Sequence, residues 1–595
     1  MSQLASAPPL PDETCRPPSE AAAVVRLPLH VFPAETNWLS PRAEARWLWT
    51  FLAIGLVLRL VRYLLRFPLW EDEAMLAANF LDLGYRDLLG PLRYMVVAPP
   101  LFLWGQLGLV KLLGFTEYTL RLVPFLASIA SLLLFRHVAG RLLRGTPLLL
   151  AVALFAVSYP MVRYAAEAKP YGCDLLLALT MLALTVEWLR RPEQSRWLWA
   201  LAALVAPAVG YSFPAMFAAG GISLVTGYAI FFRHQRWRLY GWRPWLVFTL
   251  LLAASGLAVA MIATRAVAGL RQDVLYAGWT DCFPPIGDPL QLGKWFFETH
   301  AGGMLGYPVG GPHWGSSLSF LCCAAGVAVL ARRRQGLLAS LLLAPLALNF
   351  AAAVIHRFPY GGHAGHVRMT LFMAPAFCIF ISLGVTAGLA WLAERSRERG
   401  AGSREVSRLT AVGVRGRRVV LAPLLALCLL AAGTLLRDLV KPYKSGTTLA
   451  SRNFARWFWR EQGGRGEQAS LEHDFGVDLA PGRPENGWSC LYFCNQRICS
   501  RRLAAGGPPR WERISAECPL RCVVYRSADE ERRSPAADPR TLEHWLEGMQ
   551  ASYELVAHDR YPFPIYEKWD RNVNTVDYLE IFTFIPRASG GRAKT

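Results

Sequence analysis

Residues 47–74 read WLWTFLAIGLVLRLVRYLLRFPLWEDEA. An apolar run from Trp47 to Leu65 is followed at once by three adjacent carboxylates in Trp70-Glu71-Asp72-Glu73-Ala74. Crossing the hydrocarbon of a bilayer takes about 20 helical residues. The run is therefore long enough to span, and the acids fall where the chain emerges. The residues before it, 1–45, hold eight prolines and few bulky apolar side chains. They read as a disordered tail, not a cleaved signal, because the apolar run starts late and no small-residue cleavage site follows it.

Working outward, apolar runs recur along the chain. Spans are expected near 47–65, 119–137, 147–162, 172–189, 197–211, 215–232, 245–264, 316–331, 337–355, 368–392 and 419–436, eleven in all. The stretch 99–114 is ambiguous: it is apolar, but it is short and begins with Pro99-Pro100. Loop charge arbitrates. If 99–114 does not cross and the N-terminus is cytoplasmic, the cytoplasmic loops carry about twice the Lys and Arg of the opposite loops, over fewer residues, as the positive-inside rule requires. Counting it as a span inverts that order. The stretch therefore reads as a juxtamembrane or re-entrant helix. The loops 66–118, 163–171, 265–315 and 356–368, and everything after 437, then share the outer face.

The expected architecture is an all-α polytopic membrane bundle of about eleven spans plus juxtamembrane helices, with a small C-terminal α/β extracytoplasmic domain. Its divisions are a cytoplasmic tail 1–45, a membrane domain 46–440 whose first external loop is 66–118, and a soluble periplasmic domain 441–595. Strand-like runs at 522–525 and 578–584 and a helix-like run near 542–549 support the last. No internal repeat is visible. Of 12 cysteines, Cys490, Cys494, Cys499, Cys518 and Cys522 fall in this region. An external compartment favours a disulfide among them, with the pairing open. Zinc is weakly supported, since no pair has C-x-x-C spacing.

Composition agrees with a membrane protein. The chain has 595 residues, 53% hydrophobic and only 18% charged; a soluble protein carries about 25% charged residues. The formal charge of +20 raises nucleic acid as a partner. The basic residues, however, sit mainly in short loops between apolar runs, and no helix-turn-helix, RNP or zinc-finger pattern is present.

Three loop clusters offer chemistry. The acids at 71–73 are a solvated loop on a plain reading; on a functional one, Asp72 is a general base and a neighbour orients it or holds a metal. A base used on a hydroxyl must be ionised and within hydrogen-bond reach. Arg163, Tyr164, Glu167, Lys169 and Tyr171 form the second cluster. They either close a loop through an ion pair or supply donors to an anionic ligand. The third runs from Arg357 to Arg368 and includes His363 and His366, a weak metal pair. Arg368 either snorkels or binds a phosphate. Arg59, inside the first span, is a phosphate candidate because an intramembrane charge ordinarily faces a cavity or partner. Arg93 is a further candidate. In 265–315, Glu298, His300 and His313 offer an acceptor wall.

Taken in order, Asp72-Glu73-Ala74, Pro99-Pro100-Leu101-Phe102, Gly114, Glu117 with Arg121-Leu122-Val123-Pro124, and Glu167-Ala168-Lys169-Pro170-Tyr171 resemble the GT-C membrane glycosyltransferases. More narrowly, they resemble the family of dolichyl-phosphate-mannose–protein mannosyltransferases and bacterial aminoarabinose transferases. The match covers roughly 47–190, and Arg368 with the span leading to Pro375 resembles a later family segment. One departure is Ala98, where many relatives carry Lys or His before the Pro-Pro.

The resemblance implies a sugar donor on a polyprenyl phosphate and a hydroxyl acceptor on a lipid, saccharide or protein. It implies transfer with inversion at the outer face of a bacterial inner membrane. Asp72 would be the base, with Glu73 and Glu167 orienting. Arg59, Arg93, Arg163, Lys169, Tyr171 and Arg368 would serve the donor phosphate, and Glu298 and His300 the acceptor. A divalent metal between carboxylates is compatible with the sequence but not required by it. The competing classes are a transporter or flippase of lipid-linked sugars, and an assembly protein acting through its external domain.

Overall fold

The structure is a computed structural model. It describes residues 38–233, 235–268, 279–309, 315–361, 366–399, 406–461, 474–478, 488–500, 511–526, 540–564 and 576–587. The membrane portion is a helical bundle. Among the described residues, eight helices are long and apolar enough to cross a bilayer, and Thr146–Val157 with Tyr159–Ala166, bent by 44°, makes a ninth where that pair counts as one span. Two of the eleven expected spans are shorter: Arg196–Tyr211 has 16 residues, and Ser316–Arg332 also falls in the shorter class. At about 1.5 Å per residue, 16 residues rise less than the roughly 30 Å of hydrocarbon.

The first span, Pro41–Leu64, starts as its sequence directs. Ser40 accepts from the Ala43 amide and Pro41 occupies the first turn, where a missing N–H costs nothing. Its far end is tied to two other helices. Arg62 holds Asp438, in the last turn of Val420–Val440, through both carboxylate oxygens at 2.8 and 2.9 Å. Arg66 reaches Glu117, which opens the span Glu117–Leu142, at 2.7 Å.

These contacts constrain the topology. The ends of the first and last apolar helices therefore lie together, as do residues 66 and 117 on either side of the 14-residue helix Pro100–Leu113.

The C-terminal region builds a mixed four-stranded sheet in the order β1-β2-β4-β3: β1 Asp474–Asp478, β2 Leu520–Arg526, β3 Tyr553–Pro564 and β4 Val576–Pro586. β1 runs parallel to β2, and the other pairs are antiparallel. Alternate residues serve opposite faces. Cys522, Val524, Phe582 and Phe584 pack with Trp545 of the helix Arg540–Ser552. Val523, Leu579 and Ile581 pack with Phe454, Phe458 and Tyr492. Both faces are covered, which explains why these strands read as apolar runs in sequence.

The expected disulfide is not formed. All five C-terminal cysteines are thiols, and the described residues contain no disulfide. The fold distributes four of them over three places. Cys490 and Cys494 pack against Leu69 and Ala74 of the first external loop, Cys499 lies under one sheet face, and Cys522 lies under the other.

Candidate active site

The acidic turn folds into a helix, Glu71–Ala77, with all three carboxylates in its first turn. Acids are stabilised there by the positive end of the helix dipole. The three then diverge. Glu73 turns inward, with 2% of its side chain exposed, and accepts four hydrogen bonds. Arg121 gives two, from Nε at 2.9 Å and Nη2 at 2.6 Å. The amide of Trp70 gives one at 3.1 Å, and the amide of Ala168 gives one at 2.7 Å. Burial pushes the Glu73 carboxyl up, but Arg121, Lys444 and the Ala168 amide more than reverse this and hold it below the ordinary carboxylate range. Glu73 was expected among the catalytic residues. Its oxygens are engaged within the protein, where they tie the start of this helix to Arg121 and to the Ala168 amide.

Asp72, one residue earlier, faces outward with 32% of its side chain exposed. Its Oδ2 lies 2.7 Å from Nη1 of Arg368. The Arg368 guanidinium in turn sits over the rings of Trp70 and Trp279, at 5.1 and 5.7 Å. Tyr171, Tyr164 and Glu167 belong to the same electrostatic neighbourhood. Glu167 pairs with Lys444 at 2.5 Å. Lys169 lies close to Asp72, Arg368 and Glu167, and its ammonium is pulled down by burial. Arg163 neighbours Tyr164, Glu167 and Arg368.

The fold thus gathers Asp72, Arg163, Glu167, Lys169, Tyr171 and Arg368 from three loops into one site. Within it, the buried Nε of Arg163, Nε of Arg368 and Nε1 of Trp70 have no hydrogen-bond partner among the described residues. An unmade buried donor costs about 1–3 kcal/mol. These three belong to residues of the cluster in which cations are concentrated.

Four expected residues lie elsewhere. Arg59 is fully buried, and its nitrogens are committed to Ser128 Oγ, Gly55 O, Ala156 O and Phe155 O. The last two carbonyls close the helix Thr146–Val157, whose final turn lacks intrahelical donors. Arg59 caps that break and is not a phosphate contact. Arg93 belongs to a separate, partly exposed pair with Asp82 at 2.5 Å. Glu298 is exposed, 3.8 Å from Lys294 one helical turn earlier.

His300 is a core histidine. Its Nδ1 is 2.7 Å from the Phe296 carbonyl and its Nε2 is 3.0 Å from the Tyr360 hydroxyl. Nδ1 must carry the proton to face a carbonyl, so Nε2 accepts from Tyr360. Burial lowers its pKa, and it offers no free edge to an acceptor. His313 and His363 lie outside the described residues.

Sequence reasoning missed Lys444 and Trp70, and gave Arg121 no role. Among the described residues, no three His, Cys, Asp or Glu side chains converge in a way that could hold a metal ion. The carboxylates of Asp72, Glu73 and Glu167 each face a protein cation instead.

No curated protein matches the chain in sequence. Among solved structures, it is similar to ArnT from Cupriavidus metallidurans bound to undecaprenyl phosphate, with 13% identity and a TM-score of 0.47, covering 90% of this chain and 98% of that one. It is also similar to the Archaeoglobus fulgidus oligosaccharyltransferase AglB in complex with an inhibitory peptide and a dolichol-phosphate. There the identity is 13% and the TM-score 0.42, covering 90% of this chain and 76% of that one. In sequence, residues 97–261 are similar to the dolichyl-phosphate-mannose-protein mannosyltransferase family.

Proposed function

We propose that the chain is a glycosyltransferase that moves a sugar from a polyprenyl phosphate to a hydroxyl of a lipid, saccharide or protein acceptor. The observation that carries this reading is a carboxylate, Asp72, held at the rim of a cation cluster whose buried Arg163, Arg368 and Trp70 N–H groups are unpartnered. A transporter reading needs no such base beside an anion clamp.

The chemistry follows from the arrangement. The donor phosphate accepts from the cluster, and the acceptor hydroxyl approaches Asp72. Asp72 takes the proton as the acceptor oxygen attacks the anomeric carbon. The bond from that carbon to the phosphate oxygen breaks on the opposite side, so the centre inverts. The bonding pair stays with the phosphate, and a singly charged diester becomes a doubly charged monoester. Arg163, Lys169 and Arg368 stand where that charge grows. Glu73 fixes the helix that carries Asp72.

The topology is part of the proposal. The site faces the outside of a bacterial inner membrane, with the N-terminus cytoplasmic. The C-terminal sheet, within 441–595, lies on the same side as the site. With the ends of the first and last spans at one face and Pro100–Leu113 not crossing, the crossing number is odd, nine or eleven. Arg368 and Asp72 share a face, so Arg196–Tyr211 and Ser316–Arg332 either both cross or both stay in. We favour crossing, which gives eleven.

The test uses purified protein in proteoliposomes with labelled polyprenyl-phosphate sugars and candidate acceptors. Donor-dependent label in the acceptor is the expected result. A cysteine placed at position 72 should react with an impermeant thiol reagent added outside spheroplasts. Reaction only after permeabilisation would overturn the orientation, and donor movement across the bilayer with no glycosidic bond formed would overturn the reaction.

A further inference from the structure

We propose that Lys444, carried by the segment after the last span, is a further phosphate-contacting residue of this site, so that the C-terminal region completes the active centre. The inference rests on the transferase reading above.

Lys444 is held in place from both sides. Six residues earlier, Asp438 is clamped by Arg62 and Arg437. One residue later, Ser445 caps the helix Gly446–Arg456 by accepting from the Thr448 amide, and Arg452 on that helix donates to the Arg66 carbonyl. The ammonium therefore reaches one place. It lies 2.5 Å from Glu167 Oε1, 3.7 Å from the centre of the Trp70 ring and 5.9 Å from that of Tyr164. Trp70 and Arg163 carry two of the three unpartnered buried donors.

Charge points the same way. Glu73 is matched by Arg121. Four cations, Arg163, Lys169, Arg368 and Lys444, stand beside the carboxylates Asp72 and Glu167, and Glu71 shares the first helical turn with Asp72. Positive charge exceeds negative in a largely buried site. Such an excess is costly unless an anion joins it, and the leaving phosphate is an anion. The titratable and charged groups that face Lys444 are Glu167, Arg163, Glu73 and Tyr164. Burial outweighs the pull of the two acids and brings the ammonium down to about 8. The charge it offers is thus present below about pH 8 and lost above it until an anion binds.

The experiment uses the full chain in lipid nanodiscs, with decaprenyl phosphate as the binding probe and a labelled decaprenyl-phosphate sugar for transfer. Lys444→Met should weaken decaprenyl phosphate binding at least tenfold and lower kcat/KM for the donor by about 10²-fold. Wild-type binding should weaken as pH rises through the region of 8. Lys444→Arg should bind within about tenfold of wild type and lose that alkaline limb. If the Met variant fails to insert, the Arg variant and its pH profile carry the test.

A purely structural Lys444 would act only by neutralising Glu167, and Glu167→Gln would then restore binding to Lys444→Met. Persisting loss in the double variant supports the contact, and restoration overturns it. Unchanged binding in Lys444→Met, beside tight wild-type binding, overturns this inference alone. Wild-type protein that neither binds decaprenyl phosphate nor transfers sugar overturns both readings.

Discussion

Arg59 and Arg368 are both largely removed from water, and the sequence presents them alike, as cations at or within apolar spans. The structure treats them oppositely. Arg59 spends its donors on Ser128 and on the carbonyls of Gly55, Phe155 and Ala156. Arg368 gives one edge to Asp72, is held over two tryptophan rings, and leaves Nε unpartnered. A buried cation whose donors are satisfied by the fold belongs to the fold. A buried cation left with unmade hydrogen bonds, in a cluster where positive charge exceeds negative, has a donor to offer a ligand. Burial alone cannot tell the two apart; where the hydrogen bonds go can.

The sharpest way to break this distinction is to remove chemistry without removing contacts. Asp72→Asn keeps an oxygen for Arg368 but cannot take a proton. Transfer should fall by about 10²–10⁴-fold, while decaprenyl phosphate binding stays within a few-fold and membrane insertion is unchanged. Near-normal turnover in this variant would remove Asp72 as the base. Arg368→Met takes away a donor from the clamp and the partner of Asp72 together. A loss of about 10²–10³-fold in kcat/KM is expected, by analogy with deleting one donor to a developing oxyanion. A change in KM with kcat intact would mean that Arg368 helps binding but not the growing charge.

Glu73 lies between the two extremes: satisfied like Arg59, yet next to Asp72. Glu73→Gln leaves Arg121 buried without its counter-charge, and breaking such a pair costs about 3–5 kcal/mol. The sign with pH is fixed by the lowered carboxyl. Glu73 stabilises the fold above the unfolded-state value of about 4.3, and that contribution disappears as pH falls through its lower folded-state value. Thermal inactivation measured from neutral to acid pH should show an acid limb in wild type that is reduced in the variant, with a lower midpoint throughout. Activity in the surviving Glu73→Gln protein should fall less than in Asp72→Asn, since the residue orients and does not react.

Much of this was legible before the structure. The acids after the first span, the loops sharing their face, the resemblance carried by Pro99-Pro100 and Glu167 to Tyr171, and the strands near 522 and 580 were all readable. They rest on local patterns: apolar length, loop charge and alternation. What was not legible is long-range. Lys444 meets Glu167 across 277 residues, and no spacing signals that. Arg59 was misread because the sequence shows a charge in a span but not the helix break beside it. His300 was misread because its partner, Tyr360, comes from a different loop. The five cysteines look like one set only because the division of Cys490 with Cys494, Cys499 and Cys522 among three cores is invisible in one dimension.

Arg59 offers the smallest expected effect on donor handling and the cleanest check of the opening contrast. Replacing it with Met removes the charge and keeps much of the side-chain volume. The carbonyls of Phe155 and Ala156 then lose their donor at a buried helix end, where each unmet group costs about 1–3 kcal/mol. A cation at a helix C-terminus is also favourable in its own right. The variant should therefore insert less well and inactivate at lower temperature. The protein that does fold should bind decaprenyl phosphate and turn over donor within about twofold of wild type, because no nitrogen of Arg59 faces the site. Were donor affinity instead to drop alongside a normal inactivation midpoint, Arg59 would have to reach the phosphate in some other arrangement. Full satisfaction by the protein would then no longer mark a buried arginine as structural.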